Sequence, residues 1–273
     1  MRRIALVVLA VFCWIAPILA QSPKSQTLEA SAAAGDARAQ FSLGLAYEFG
    51  NGVPRDAALA AAWYRKAADS GLPEAQNNYG KLLMMGTGVP RDDFEAMKWF
   101  RRAAAEGQPD AENNVGWMYA FARGVPQDDT EAVRWYRRAA EHHAVLGEVN
   151  LAIMYLHGRG VPQDEAAAAS LFAEAAEAGS GLAESCLAWL YASGRGVAKD
   201  LAKAAQWWER AAKKGIAPAE YNLGVLLHRG AGVKKDVTAA SAWLERAAEH
   251  GLAPKRDLDA PVDVAQLLEP TAF

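Results

Sequence analysis

The chain has 273 residues, of which 52% are hydrophobic types and 22% charged, with two cysteines and a formal net charge of −3. These values belong to a folded globular protein and exclude a disordered or collagen-like chain, a polybasic nucleic-acid binder, a multi-bridge disulfide scaffold and a four-cysteine zinc site. They leave the function open.

At the N-terminus, Arg2 and Arg3 precede an uncharged apolar run from Ile4 to Leu19, and Ala20 supplies a small residue before Gln21. Residues 1–20 read as a cleaved secretory signal peptide. The rival is an uncleaved anchor, because the run sits at the lower limit of a spanning helix; Pro17 and the Gln21-Ser22-Pro23 segment favour cleavage. Ala10, Val11 and Phe12 do not make a lipoprotein pattern ahead of Cys13. Removing the segment leaves 27 basic against 32 acidic residues, or −5, with Cys186 as the remaining thiol. In a helical pattern that thiol is expected to be a small buried hydrophobe. The expected compartment is the periplasm, with full secretion as the alternative. Residues 21–35 have the Ala-rich end and closing glycine of a half-unit, and are expected to cap the first repeat.

From Asp36 to Gly251 the chain repeats itself. A Gly-Val pair recurs at Gly52, Gly88, Gly124, Gly160, Gly196 and Gly232, always 36 residues apart. In the same frame stand Asp56, Asp92, Asp128, Asp164, Asp200 and Asp236, followed by Trp63, Trp99, Trp135, Trp207 and Trp243, with Leu171 the exception. A fixed period of this length signals a solenoid in which no unit can bury its apolar face alone. Each of the six units divides into two helices. The first, for instance Pro73 to Met85, opens on proline and closes at a glycine. The second starts at the aspartate, whose carboxylate can accept from the exposed amides and suits the positive end of the helix dipole. The large aromatics are expected to fill the space between units.

This pattern, A-x-N-x-G-x-x-Y-x-x-G-x-G-V-P-x-D with W and A-A downstream, resembles the Sel-like repeat (SLR) proteins, relatives of the tetratricopeptide repeats. The resemblance implies an all-α, right-handed α/α superhelix whose first helices line the concave side, and an adaptor role in protein complexes, often in bacterial envelopes or signalling. It implies no catalytic residue. Departures gather around the fourth unit, where His142-His143 replaces a glycine end and Leu171 replaces tryptophan. In residues 252–273, prolines at 254, 261 and 270 surround the amphipathic stretch Val262 to Glu269, which is expected to form one capping helix followed by a tail.

Positions that change between units are free to be specialised. In the first helices, positions 41, 45, 48 and 49 and their equivalents lie about 160 to 200 degrees from the repeated ones at 100 degrees per residue. They contain Asn77, Lys81, Met85, Asn113, Trp117, Phe121, His157, Trp189, Tyr221 and Arg229, and this mixture of aromatic, polar and basic groups suits a protein or peptide groove on the concave face. Trp117 and Trp189 can alternatively pack between adjacent first helices. The ladder of Asn78, Asn114, Asn150 and Asn222 belongs to the repeat signature and is expected to bind loop backbone. His142-His143 lacks a third ligand for a metal, and no cofactor is expected. H-E-x-x-H, G-x-S-x-G, G-K-[ST], S-x-x-K and K-T-G are all missing from the chain, so no catalytic motif is present. The expected function is a non-catalytic scaffold for an envelope protein or peptide, in one version the regulator of a membrane sensor. The alternatives are a protein binding or hydrolysing cell-wall material, peptidoglycan or a β-lactam, and a secreted effector that binds a host protein. Nucleic acid is not an expected partner, and the membrane enters through the signal segment or a partner alone.

Overall fold

The computed structural model describes residues 23–252; the signal segment at 1–20 and the capping helix expected at 262–269 lie outside the described residues. Among the described residues there are thirteen helices and no strand. Helix α1 (Pro23–Ala33) precedes six pairs, one per unit: α2 (Ala37–Phe49) with α3 (Ala57–Asp69), α4 (Pro73–Met85) with α5 (Asp93–Ala105), α6 (Pro109–Ala120) with α7 (Asp129–Glu141), α8 (Val145–His157) with α9 (Glu165–Glu177), α10 (Gly181–Ser193) with α11 (Leu201–Lys213), and α12 (Ala217–Arg229) with α13 (Val237–Glu249). Each helix packs on the next in sequence, which makes an all-α solenoid.

The aspartates act as the pattern requires. Asp92, Asp128, Asp164, Asp200 and Asp236 each accept from the amide three residues on at 2.9 Å. Asp56 accepts from the amides of Ala58 and Leu59. Their own amides donate back to a carbonyl near the end of the first helix, as Asp92 does to Leu83 at 3.0 Å, so the same residue starts one helix and closes the loop from the other. One closure differs from expectation. The third unit has no glycine at the end of α6, and Ala122 takes the left-handed conformation in its place at φ 52°.

Within a unit the two helices approach across small residues. A Cβ on Gly80 would lie 2.7 Å from the Phe100 ring, and one on Gly116 would lie 2.8 Å from the Tyr136 ring. Five of the largest wholly buried side chains therefore stand at the position after the repeated tryptophan or its Leu171 replacement: Tyr64, Phe100, Tyr136, Phe172 and Trp208. The repeated tryptophans themselves are mostly half-buried, and only Trp99 is fully covered. Burial of these rings and of the alanine pairs drives stacking, at about 25 cal/mol per Å² of apolar surface removed from water.

Between units the loop of one seats on the second helix of the unit before. In the middle of the array this contact is also ionic. Arg123 donates to Asp93 at 2.7 and 2.9 Å, Arg159 to Asp129 at 3.0 Å, and Arg195 to Glu165 at 2.7 Å. At the first and last junctions both partners change together, to Ala57 with Thr87 and to Leu201 with Ala231. Hydrogen bonds from Arg123, with Arg91 assisting, hold the Asp93 carboxyl well below the usual carboxylate range despite its partial burial.

Candidate functional site

A column that sequence reading passed over carries the strongest chemistry. The fourth residue of the first helices reads Gln40, Gln76, Glu112, Glu148, Glu184, Glu220, and all six are buried. The glutamines donate to the carbonyls of Ala32 and Ala68, eight residues back at the end of the preceding helix, at 3.1 and 3.3 Å. The glutamates are neutralised by the second helix of their own unit. Glu112 meets Arg138 at 2.9 Å and His142 at 2.8 Å; Glu184 meets Arg210 and Lys214, each at 2.9 Å; Glu220 meets Arg246 at 3.2 Å and His250 at 2.8 Å. His142, considered above as half of a metal pair, is thus a hydrogen-bond partner of a buried carboxylate. Each arginine also lies over the repeated tryptophan, Arg138 over Trp135 at 4.6 Å, Arg210 over Trp207 at 4.2 Å and Arg246 over Trp243 at 4.6 Å. The ring and the carboxylate together fix the guanidinium.

The fourth unit keeps the buried glutamate, Glu148, and loses every partner it has elsewhere. Leu171 stands for tryptophan, Glu174 for the arginine and Ala178 for the second cation. Glu148 is 7% exposed, and its Oε2 is buried without a hydrogen-bond partner. Burial, and secondarily the charge of Glu174, raise the Glu148 carboxyl above its ordinary range, with His143 opposing. A carboxylate raised in the folded state weakens the fold at pH values above its folded pKa and has no effect below its unfolded pKa. Glu148→Gln, which copies units one and two, is therefore expected to raise stability by about 1 kcal/mol at pH 7. The gain shrinks as the pH falls toward 4, and thermal unfolding across that range checks it.

The whole repeated stretch matches one family model, the Sel1 repeat, at residues 37–72, 73–108, 109–143, 145–180, 183–216 and 217–252. The chain belongs to the Sel1 repeat family. It is similar to a Sel1 repeat protein of Oxalobacter formigenes, with 38% identity and a TM-score of 0.75 over 80% of this chain and 89% of that one. It is also similar to a protective antigen of uropathogenic Escherichia coli that displays an SLR fold, with 36% identity and a TM-score of 0.74 over 84% of this chain and 49% of that one. The chain thus spans about half the length of the E. coli antigen. An immunity protein of Pseudomonas aeruginosa, with 16% identity and a TM-score of 0.51 over 89% of this chain and 86% of that one, shares the fold alone. No curated protein matches the chain. Sel1 repeat proteins generally act as protein-interaction scaffolds and are typically non-catalytic.

In this Sel1 array the stripe expected to line a groove divides in two. Asn77, Asn113, Trp189 and Tyr221 are buried, so they belong to the stack and cannot face a partner. The reason is that a first helix is covered on two sides, by its own second helix and by neighbouring units; α6, for example, also touches α8. Lys81, Trp117 and Phe121 are half-buried, while Met85, His157 and Arg229 are exposed. Trp117 and Phe121 pack against each other with ring centroids 5.0 Å apart. The signature asparagines reach across units to the inner stripe: Asn114 donates to Asn77 at 2.9 Å and Asn150 to Asn113 at 2.7 Å. Cys186 is buried, and burial pushes its thiol pKa far up. Two open clefts, one lined by Glu209 and Trp243 and one by Thr27 and Asp36, do not bring acids of two units together. Among the described residues no three potential ligands are placed to hold a metal, and no helix is long and apolar enough to cross a membrane.

Proposed function

We propose that this Sel1 repeat protein is an exported, non-catalytic scaffold that holds an envelope protein or peptide along the edge formed by the ends of its first helices in units one to three. One observation carries the reading. Phe49 is 64% exposed and Met85 47%, and the same column continues with Phe121, then changes to His157, Ser193 and Arg229. Because the later units stack with polar residues there, stacking does not require apolar ones in the earlier units. Large apolar side chains left in water without a structural need mark an interaction surface. Phe94, 62% exposed at the start of α5, lies toward the same edge, since first helices end where second helices begin. Export is supported by the charged start and apolar run of residues 1–20, and the similar E. coli protein is a protective antigen.

The test is crosslinking and affinity purification from the native cells, comparing wild type with a Phe49→Ser, Met85→Ser, Phe94→Ser variant, alongside fractionation of the processed chain. The variant is expected to melt within a few degrees of wild type and to lose an envelope protein by about tenfold or more. An unchanged set of partners would remove the edge from consideration, and an unprocessed cytoplasmic chain would remove export.

A further inference from the structure

In the third and fifth units the arginine of the second helix does more than neutralise a glutamate. Arg138 Nη2 also donates to the carbonyl of Ala104, and Arg210 Nη2 to that of Ala176, at 3.3 and 3.2 Å. A guanidinium is thus held between a buried carboxylate and the last carbonyls of the preceding second helix. In units one and two a glutamine at the carboxylate position reaches the same carbonyl by itself. The fourth unit has neither device. Its carbonyl is that of Ala140, its carboxylate is that of Glu148, and position 174 is an acid. The carboxylate and the carbonyl that receive a guanidinium in the neighbouring units are retained, the tryptophan ring beneath it is exchanged for Leu171, and the side chain that supplies the guanidinium is replaced by one of opposite charge.

We propose that the Glu148 cradle is a docking site for an arginine side chain of a partner protein. Three observations on the molecule support this chemistry. Glu148 Oε2 is buried and unpartnered, whereas its counterparts Glu112 Oε1, Glu184 Oε2 and Glu220 Oε1 each lie within 3.2 Å of a cation. The resident arginines remain 44–46% exposed while they occupy the equivalent positions, so the approach is open to a side chain coming from outside. Glu174 is exposed and adds a second negative charge beside Glu148, and Leu171 replaces a bulky indole at the mouth. A planar fork matches one carboxylate and one carbonyl better than an ammonium does. His143 flanks the site and opposes the rise of the Glu148 carboxyl. That the arginine comes from a protein rests on the scaffold reading above, whereas the affinity of the cradle for a guanidinium does not.

The probe is N-acetyl-arginine amide, with N-acetyl-citrulline amide as the uncharged control, and the readout is the side-chain carboxyl carbon resonance of Glu148 followed by pH titration on the full-length protein. Saturating arginine probe is expected to lower the Glu148 midpoint by about one pH unit, with millimolar affinity for this single contact, and citrulline is expected to leave it in place. Glu174→Arg restores the frame of the other units; it should fold, lower the Glu148 midpoint without probe, and lose the response to probe. Equal responses to both probes, or a Glu174→Arg protein that responds like wild type, would overturn the site. Loss of the edge-bound protein in the purification above leaves this result untouched, so the two readings fail separately.

Discussion

Replacing Gly88 by valine is expected to remove about 2 to 5 kcal/mol of stability and to broaden urea unfolding into more than one step. Two independent penalties act there. Gly88 has φ 72°, and a residue with a Cβ loses about 1–2 kcal/mol in that region. The Cβ would also stand 2.1 Å from the carbonyl oxygen of Ala57, at the first residue of α3 in the preceding unit. That atom is backbone at a capped helix start and cannot move aside, so overpacking adds about 1–3 kcal/mol. Gly71 is the control. It has φ 88° but nothing within 4 Å of an added Cβ, so Gly71→Ala is expected to show the conformational penalty alone. If Gly88→Val and Gly71→Ala lower the urea midpoint equally, the loop does not lock the units together.

The second large effect concerns the asparagine pairs. Asn113 and Asn150 are both buried and joined at 2.7 Å. Changing either alone, Asn113→Val or Asn150→Cys, leaves a buried amide facing an apolar group and is expected to cost about 2 to 3 kcal/mol. One junction further on, the same two positions are Val149 and Cys186, members of a single buried cluster. The chain has therefore already exchanged the polar link for an apolar one where both partners changed. The double variant Asn113→Val, Asn150→Cys is expected to be more stable than the sum of the single effects by about 1 kcal/mol or more. Equilibrium unfolding of the four proteins closes the cycle, and strict additivity would mean that the pair does not act as a unit.

These pairs also show what was legible in the sequence. The period, the aspartate caps and the helix boundaries follow from local chemistry that each unit repeats, so a single pass along the chain finds them. The helix-wheel argument for the stripe failed at Asn77, Asn113, Trp189 and Tyr221 because it assumes one covered face, whereas a first helix in a stack has two. Variation between units at Asn77 and Tyr221 reflects a changing neighbour and not a solvent-facing surface. The buried glutamates were missed for a related reason. A charged residue near a helix start reads as a dipole partner or a solvated group, and the arginines near the ends of the second helices read the same way. Comparing columns across units shows a cation 26 positions after the glutamate at Glu112 with Arg138, Glu184 with Arg210, and Glu220 with Arg246, and an acid in that place at Glu148 with Glu174, although Lys66 and Arg102 stand in the same column opposite Gln40 and Gln76. Exposure of Phe49 and Met85 follows from which edge the helix ends reach, a property of the assembled stack that no single unit encodes.

The ionic clasps between loops and second helices give the array a direction of wear. They join units two through five, at Asp93 with Arg123, Asp129 with Arg159 and Glu165 with Arg195, and they lapse at the outermost junctions. In a one-dimensional stack the weakest interfaces open first. Under heat or denaturant the described array is therefore expected to open first at its outermost junctions and to keep its centre longest, like a cord whipped in the middle and left loose at the tips. The apolar edge at Phe49 sits on a peeling end, while the Glu148 cradle sits inside the clasped segment.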